Sequence, residues 1–358
     1  MNKDFDFIIV GKGLAGITLA HHLVKLGKSV LLFDDKDGQS SSRVAAGLYN
    51  PVTGRKMVKT WKADQLFSYL ESYYLEVQKL SEEEFFIPRA IYRPFLSTEE
   101  QNEWSARSAD AAYEPYIKEI HFRSINDAVN NPFGGVELKH SGFLKVSTFL
   151  ECATEQLLNE DGFNLIQEKF DEKLLKITET GTEYKGKSAS KIIFCEGVQS
   201  NKSKFFDWLP FKPVKGDILT IEADIKTSLI INRGIFVIQI DKNRFKVGST
   251  YNNYDLTIEP SQEGRATLEQ KLKELISVNY KVVDHIAGIR PATKDRKPII
   301  GMHPNYENVG IFNGLGTKGV SLAPYFANQF ALHLVNQSAL DKEVAIERYY
   351  ALFNDDNN

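Results

Sequence analysis

Residues 5–35 read F-D-F-I-I-V-G-K-G-L-A-G-I-T-L-A-H-H-L-V-K-L-G-K-S-V-L-L-F-D-D. The run Phe7-Ile8-Ile9-Val10 is apolar without alternation, as a parallel strand buried on both faces must be. Gly11-Lys12-Gly13-Leu14-Ala15-Gly16 matches G-x-G-x-x-G. A helix is expected over 15–26, because Leu19, Leu23 and Leu26 fall three and four residues apart, and Gly27 supplies a left-handed stop. A second buried strand spans 29–33 and ends on Asp34-Asp35. In such a unit Gly11 permits the tight turn, Gly13 lets backbone approach a pyrophosphate, and Gly16 lets helix and strand pack closely. The helix N-terminus presents free N–H groups and a partial positive charge to phosphate. Asp34 lies 18 residues after Gly16, near the spacing at which an acid accepts hydrogen bonds from ribose hydroxyls. That acid would repel the 2′-phosphate of NADP.

The remaining bulk properties set the frame. The chain has 358 residues, more than the roughly 250–300 that one core serves, so two domains are expected. A net charge of −3 provides no global attraction to nucleic acid or anionic membrane; Arg55, Lys56, Lys59 and Lys62 form a local basic cluster. Cys152 and Cys195 are the only cysteines and have neither disulfide nor metal spacing, so no metal site is expected. Neither a secretory leader nor an apolar run of spanning length is read, which gives the cytoplasm as expected location.

After Asp35 the chain turns small and polar: Ser40-Ser41-Ser42-Arg43-Val44-Ala45-Ala46-Gly47-Leu48, suited to a loop against a flat ring. Five further segments follow: S-K-I-I-F-C-E-G-V-Q-S at 190–200, P-V-K-G-D at 213–217, V-G-S-T at 247–250, H-I-A-G-I-R-P-A-T-K-D-R-K-P-I-I-G at 285–301, and N-G-L-G-T-K-G-V-S-L-A-P at 313–324. Their content and order resemble the FAD-dependent D-amino-acid oxidase superfamily, in particular its glycine oxidase and sarcosine oxidase-like members. They also resemble the oxidase domain of a bifunctional tRNA wobble-uridine modification enzyme. Residues 60–140 and 220–235 carry no part of the resemblance.

The resemblance implies an α/β fold: a Rossmann-like FAD/NAD(P)-binding domain interleaved with a smaller α+β substrate domain on an antiparallel sheet. The FAD domain would comprise 1–60, 141–210 and 282–358, and the substrate domain 61–140 and 211–281. Amphipathic helices are expected over 62–80 and 148–158, strands over 216–222 and 234–250, and a frayed tail over 354–358.

The resemblance also implies roles. Gly11, Gly13, Leu14, Ala15 and Gly16 would hold the pyrophosphate of non-covalent FAD, and Asp34 and Asp35 its adenosine. Ser41, Ser42, Ala46, Gly47 and Leu48 would lie on the flavin side, with Gly197 at a turn nearby and a strand near Phe170 offering backbone to adenine. Leu315, Gly316, Thr317, Lys318, Gly319, Val320 and Ser321 would meet the flavin's pyrimidine edge, where a glycine-rich helix start stabilises negative charge. Arg290 would grip a substrate carboxylate, since a guanidinium fork fixes both charge and plane; its alternative partners are Asp284 and Asp295. Tyr49, Tyr251 and Tyr254 are candidates for the pocket wall.

Two departures count against free glycine: Phe236 stands where the glycine oxidases have a tyrosine, and Thr317 or Lys318 where they have an arginine. The activity implied is hydride transfer from an amine-bearing carbon to flavin N5 and hydrolysis of the imine, acting on a small amine or amino acid, with oxygen or a quinone as reoxidant. The alternatives are oxidation of a carboxymethylaminomethyl-uridine in tRNA and a non-catalytic FAD-binding role.

Overall fold

The computed structural model describes residues 3–35, 40–54 and 57–353. Its first sheet has a parallel centre in the order Phe163–Ile166, Val30–Phe33, Phe5–Val10, Lys187–Phe194, Val309–Asn313. Antiparallel strands Gly181–Tyr184, Leu175–Thr178 and Ile299–Met302 extend it. Alternation along the central strands divides the core. Phe7, Ile9, Val30, Leu32 and Ile193 enter one apolar cluster, while Ile8, Val10, Leu31, Phe33, Ile192 and Phe194 enter another. With both faces covered, these strands have no polar side to display, which is why they read as unbroken apolar runs.

Helix Leu14–Lys25 covers one face beside helix Gly319–Asn336. Helix Ala63–Lys79 packs on the latter, with the Tyr74 hydroxyl donating to the Val320 carbonyl at 2.9 Å. A small sheet of Leu48–Tyr49, Gly142–Leu144 and Phe86–Pro88 lies alongside.

The second large sheet runs Tyr280–Arg290, Val214–Ala223, Arg244–Gly248, Phe236–Gln239, Ile230–Asn232, Ile91–Pro94, Gly135–Leu138, Ile117–His121. Its pairings are antiparallel except between Ile230–Asn232 and Ile91–Pro94. Helix Gln262–Leu275 covers it, burying Leu268, Leu272 and Leu275 against Leu219, Ile221, Phe245 and Val247.

Two local expectations need correction. The serine stretch is a one-turn helix, Ser41–Val44, because the Ser40 hydroxyl caps it by accepting from the Arg43 N–H. No strand reaches Phe170: the strand ends at Ile166, and the Phe170 ring instead stacks on Tyr184 at 4.1 Å. Of the basic cluster, Lys59 ends strand Val58–Lys59 and Lys62 stands at the start of helix Ala63–Lys79. The expectations for Arg55, Lys56 and the 354–358 tail fall outside the described residues.

Gly16 and Gly27 are required for different reasons. A Cβ on Gly16 would collide with the Gly11 carbonyl oxygen, whereas Gly27 has open space around it but φ +72°. Gly16→Ala must push helix from strand, a cost of about 1–3 kcal/mol for overpacking. Gly27→Ala incurs only left-handed strain, about 1–2 kcal/mol. Denaturant titration checks the difference: Gly16→Ala alone is expected also to lose ligand affinity at the turn it displaces.

Candidate functional site

The glycine turns flagged in the sequence gather at the carboxyl ends of the parallel strands, where open α/β sheets bind ligands. Gly11 follows Val10, Asp34 follows Phe33, Gly197 lies just after Phe194 and Gly314 follows Asn313. Gly11 has φ +104°, and a Cβ there would meet the Cys195 carbonyl oxygen at 2.6 Å, so two strand ends touch through bare backbone. Asn313 ties in a third, donating to the Gly197 carbonyl at 2.8 Å and the Ser200 hydroxyl at 2.7 Å.

Helix Leu14–Lys25 starts without a side-chain cap and has no acid in its first turn. Its Leu14 N–H donates to the Ser42 hydroxyl at 3.2 Å. The Ala15 and Gly16 N–H groups have no acceptor among the described residues. Gly13 also faces Ser42: a Cβ on it would stand 3.2 Å from that hydroxyl. This is an uncapped, acid-free helix start beside a cleared backbone surface, the donor set a pyrophosphate needs. Asp34 accepts from the Lys12 N–H at 2.8 Å and faces Arg43 at 3.8 Å; burial raises its carboxyl above the ordinary value. Asp35 follows it at the strand tip.

Helix Gly319–Asn336 likewise begins without an acid or a side-chain cap. Lys318 precedes it, and its ammonium donates to Thr53 at 3.4 Å and Thr60 at 3.3 Å. Burial, and after it the charge of Arg296, lowers the Lys318 pKa. Leu315 is buried, Thr317 exposed, and the Ser321 hydroxyl turns back to the Lys318 carbonyl. Gly47 is held against Leu144, whose carbonyl a Cβ would strike; Ala46 and Leu48 beside it are half-buried.

Arg290 ends strand Tyr280–Arg290. The next residues adjoin two of the glycine turns: the Gly316 N–H donates to the Pro291 carbonyl at 3.2 Å, and a Cβ on Gly197 would contact the Pro291 ring at 3.9 Å. Val44 packs at Gly288, two residues before Arg290. The expected cofactor turns and the expected anchor therefore share one rim. Neither Asp284 nor Asp295 pairs with Arg290; Asp295 is bound to Arg348 at 3.1 Å. Instead the guanidinium donates to the carbonyl of Thr250 at 3.2 Å, that of Lys215 at 3.5 Å, and the Ser249 hydroxyl at 2.6 Å. The Tyr251 ring covers it at 4.8 Å, and a Cβ on Gly216 would occupy its place. Burial lowers its pKa.

Of the candidate wall tyrosines only Tyr251 meets the anchor. Tyr49 is stacked on Phe86 in the core, and Tyr254 is 98% exposed. Phe236 pairs across the sheet with Gly248 and its ring lies against that backbone. Sequence reasoning passed over Gly216 and Ser249, although both sit in quoted motifs. It also passed over the support beneath them, where buried Asp217 accepts from Thr250 at 2.9 Å and faces His285 Nε2 at 3.0 Å. Away from this rim, Glu119, His121 and Glu137 bring metal-ligand atoms within 4.8 Å, but Lys118 and His121 already pair with Glu137. The described members of the basic cluster are paired too: Lys59 with Asp64, and Lys62 with Asp341 and Glu343. Among the described residues, no helix is long and apolar enough to cross a membrane.

Comparison with known proteins adds an independent result. Residues 6–331 match the FAD dependent oxidoreductase family. Glycine oxidase of Bacillus subtilis is 25% identical over 349 residues, covering 90% of this chain and 91% of its own. The tRNA 5-methylaminomethyl-2-thiouridine biosynthesis bifunctional protein of Legionella pneumophila is 23% identical over 95% of this chain, which spans 54% of that protein. The crystal structure of glycine oxidase from Geobacillus kaustophilus superposes with a TM-score of 0.78 at 17% identity, covering 96% of this chain and 98% of that one.

Glu196, next to Gly197, was not among the expected site residues. Burial, and secondly the charge of Glu172, pushes its carboxyl up to about 8. A folded-state value above the unfolded one means its stability contribution is whole below the ordinary carboxylate value and is lost as pH rises through about 8. Glu196→Gln should therefore melt progressively higher than the parent over that rise, by on the order of a few degrees at its top. Thermal melts across the range check it; a constant difference would contradict the buried carboxyl.

Proposed function

The chain belongs to the FAD dependent oxidoreductase family, and from that premise we propose that it oxidises the C–N bond of a small carboxylated amine or amino acid. The observation that carries the reading is Arg290: a half-buried guanidinium with no salt bridge to an acid among the described residues, next to the turns suited to FAD. A desolvated cation of this kind gains most from an arriving carboxylate.

Bound FAD supplies the two-electron acceptor that takes hydride from the carbon bearing nitrogen. This chain's own residues have other tasks. Gly11, Gly13, Leu14, Ala15 and Gly16 give a pyrophosphate an open, acid-free helix start. Asp34 accepts from ribose, with Asp35 beside it. Ser41, Ser42, Ala46, Gly47 and Leu48 form the near wall and Gly197 the turn opposite. Leu315, Gly316, Thr317, Gly319, Val320 and Ser321 shape the loop at the far helix start, and Lys318 adds positive charge there. Arg290 orients the substrate so that its C–H faces the acceptor; no strong base is needed when the amine binds neutral. The Tyr251 ring lies over the Arg290 guanidinium, and Phe236 packs on the Gly248 backbone beside Ser249.

We also read the sheet containing Phe5–Val10 as the centre of the flavin domain and the sheet ending in Arg290 as the floor of the substrate domain. A carboxymethylaminomethyl group on tRNA would use the same arginine. The net charge of −3 and the pairing of Lys59 and Lys62 with acids favour the small substrate.

The test is an anaerobic screen of D- and L-amino acids and N-methylated amino acids against FAD-replenished protein, read by flavin absorbance. Wild type is expected to bleach. Arg290→Ala is expected to keep its colour and lose reduction by carboxylated substrates by ~100-fold or more, as for removal of one partner of a buried charged pair. Normal bleaching of that variant would remove Arg290 from the reading, and tRNA binding that weakens steeply with salt would favour the alternative.

A further inference from the structure

We infer that the Ser249 hydroxyl is a second donor to the substrate carboxylate, working as a pair with the guanidinium of Arg290. The inference rests on the amine-oxidising reading above and adds to it the group that sets affinity and orientation for the acid.

The Arg290 fork is partly spent. Its Nη1 faces the carbonyls of Thr250 at 3.2 Å and Lys215 at 3.5 Å, so that nitrogen serves the protein's own backbone. Its Nη2 gives one N–H to Ser249 Oγ at 2.6 Å and retains a second. The two faces of the guanidinium are occupied as well, by the Tyr251 ring and by the backbone at Gly216. A two-nitrogen grip on a carboxylate, the usual arrangement, is therefore not what this arginine presents.

Ser249 restores the missing donor. A serine hydroxyl carries one hydrogen to give and lone pairs to accept. Here a lone pair is taken by a cation, and the hydroxyl hydrogen has no acceptor among the described residues. Accepting from a guanidinium polarises the O–H and strengthens it as a donor. The pair left for an anion is the second Nη2–H and the Ser249 O–H. Their heavy atoms stand 2.6 Å apart, a spacing comparable to that between the two oxygens of one carboxylate. Ser249 and Arg290 are both half-buried, neither being closed off from solvent, so the pair can be reached by a ligand.

The serine is also held in place. Asn252 and Lys215 exchange backbone hydrogen bonds at 2.8 and 3.0 Å. The Thr250 hydroxyl bridges the Asp217 N–H at 2.8 Å and the Asp217 carboxylate at 2.9 Å. Residues 249–252 are thereby clamped to 215–217. At the same sheet end, Phe236 supplies a ring and no hydroxyl.

The experiment uses FAD-replenished wild type, Ser249→Ala, Ser249→Thr, Tyr251→Phe and Arg290→Ala. The probe is whichever of sarcosine, iminodiacetate, D-alanine, D-proline or L-proline bleaches wild type most strongly under anaerobic conditions. Reduction rate is followed against probe concentration. Ser249→Ala is expected to raise the half-saturating concentration ~10-fold or more, the size of one hydrogen bond to a charged group, with the limiting rate little changed. Ser249→Thr keeps the hydroxyl and is expected to restore most of the affinity. Tyr251→Phe keeps the ring and removes its hydroxyl, so comparison with Ser249→Ala shows which hydroxyl donates to the probe.

The inference is overturned when Ser249→Ala saturates like wild type while Arg290→Ala does not saturate. It is equally overturned when Tyr251→Phe, rather than Ser249→Ala, loses affinity. Normal reduction of Arg290→Ala, or no bleaching of wild type by any of the probes, instead brings down the amine-oxidising reading and this inference with it.

Discussion

The site is built on the contact of backbone with backbone at the carboxyl ends of the central strands. Gly11 stands against the Cys195 carbonyl, and Gly16 stands against the Gly11 carbonyl. Those contacts leave no room for a single methyl group, so strand, turn and helix are locked at one spacing. With the spacing set, the helix start at Leu14 opens beside the turns that follow Phe194 and Asn313. The parallel sheet behind them, buried on both faces, keeps the turns from moving independently.

The anchor is organised by a different principle. Arg290 sits at a strand end and is desolvated, yet its hydrogen bonds run to carbonyls and a hydroxyl rather than to a carboxylate. Neutral acceptors satisfy the guanidinium's geometry without cancelling its charge. Asp217 is close enough for its charge to favour the cation, but its hydrogen bonds go to Thr250, Ser261 and His285 rather than to the guanidinium. The result is a positive group fixed in direction and still available to an anion. The price is an arginine buried at reduced pKa, a strain of the kind that clusters at functional sites.

How much of this could be read from the chain depended on the kind of signal. Strand 5–10, helix 14–25 and the acid at Asp34 were legible because glycine, apolar period and acid lie within one contiguous stretch. Helices 63–79 and 146–158 were legible from their 3.6-residue period. The helix at Ser41–Val44 was not, since serine favours caps and turns and only the Ser40 cap decides for a helical turn. The strand near Phe170 came only from the resemblance, and the polar run around it gave no local support; its ring packs instead against Phe33 and Tyr184. Tyr49, Tyr251 and Tyr254 looked alike as letters; exposure and a ring face over Arg290 separate them. Ser249 lay inside a quoted motif, but its meaning needs Arg290 at hydrogen-bond distance, 41 residues away in sequence.

Lys318 completes the argument from charge. A cation at the start of an 18-residue helix faces the positive end of the macrodipole, where an anion belongs. Arg296 adds a second unfavourable charge, burial a third cost, and among the described residues the ammonium meets only the hydroxyls of Thr53 and Thr60. Among the described residues no acid pairs with the ammonium. A ligand carrying negative charge at the loop would satisfy the helix N–H groups, screen Arg296 and neutralise the lysine. Arg290 obeys the same rule elsewhere on the rim, so that under the proposed reading the two cations would meet two different anions.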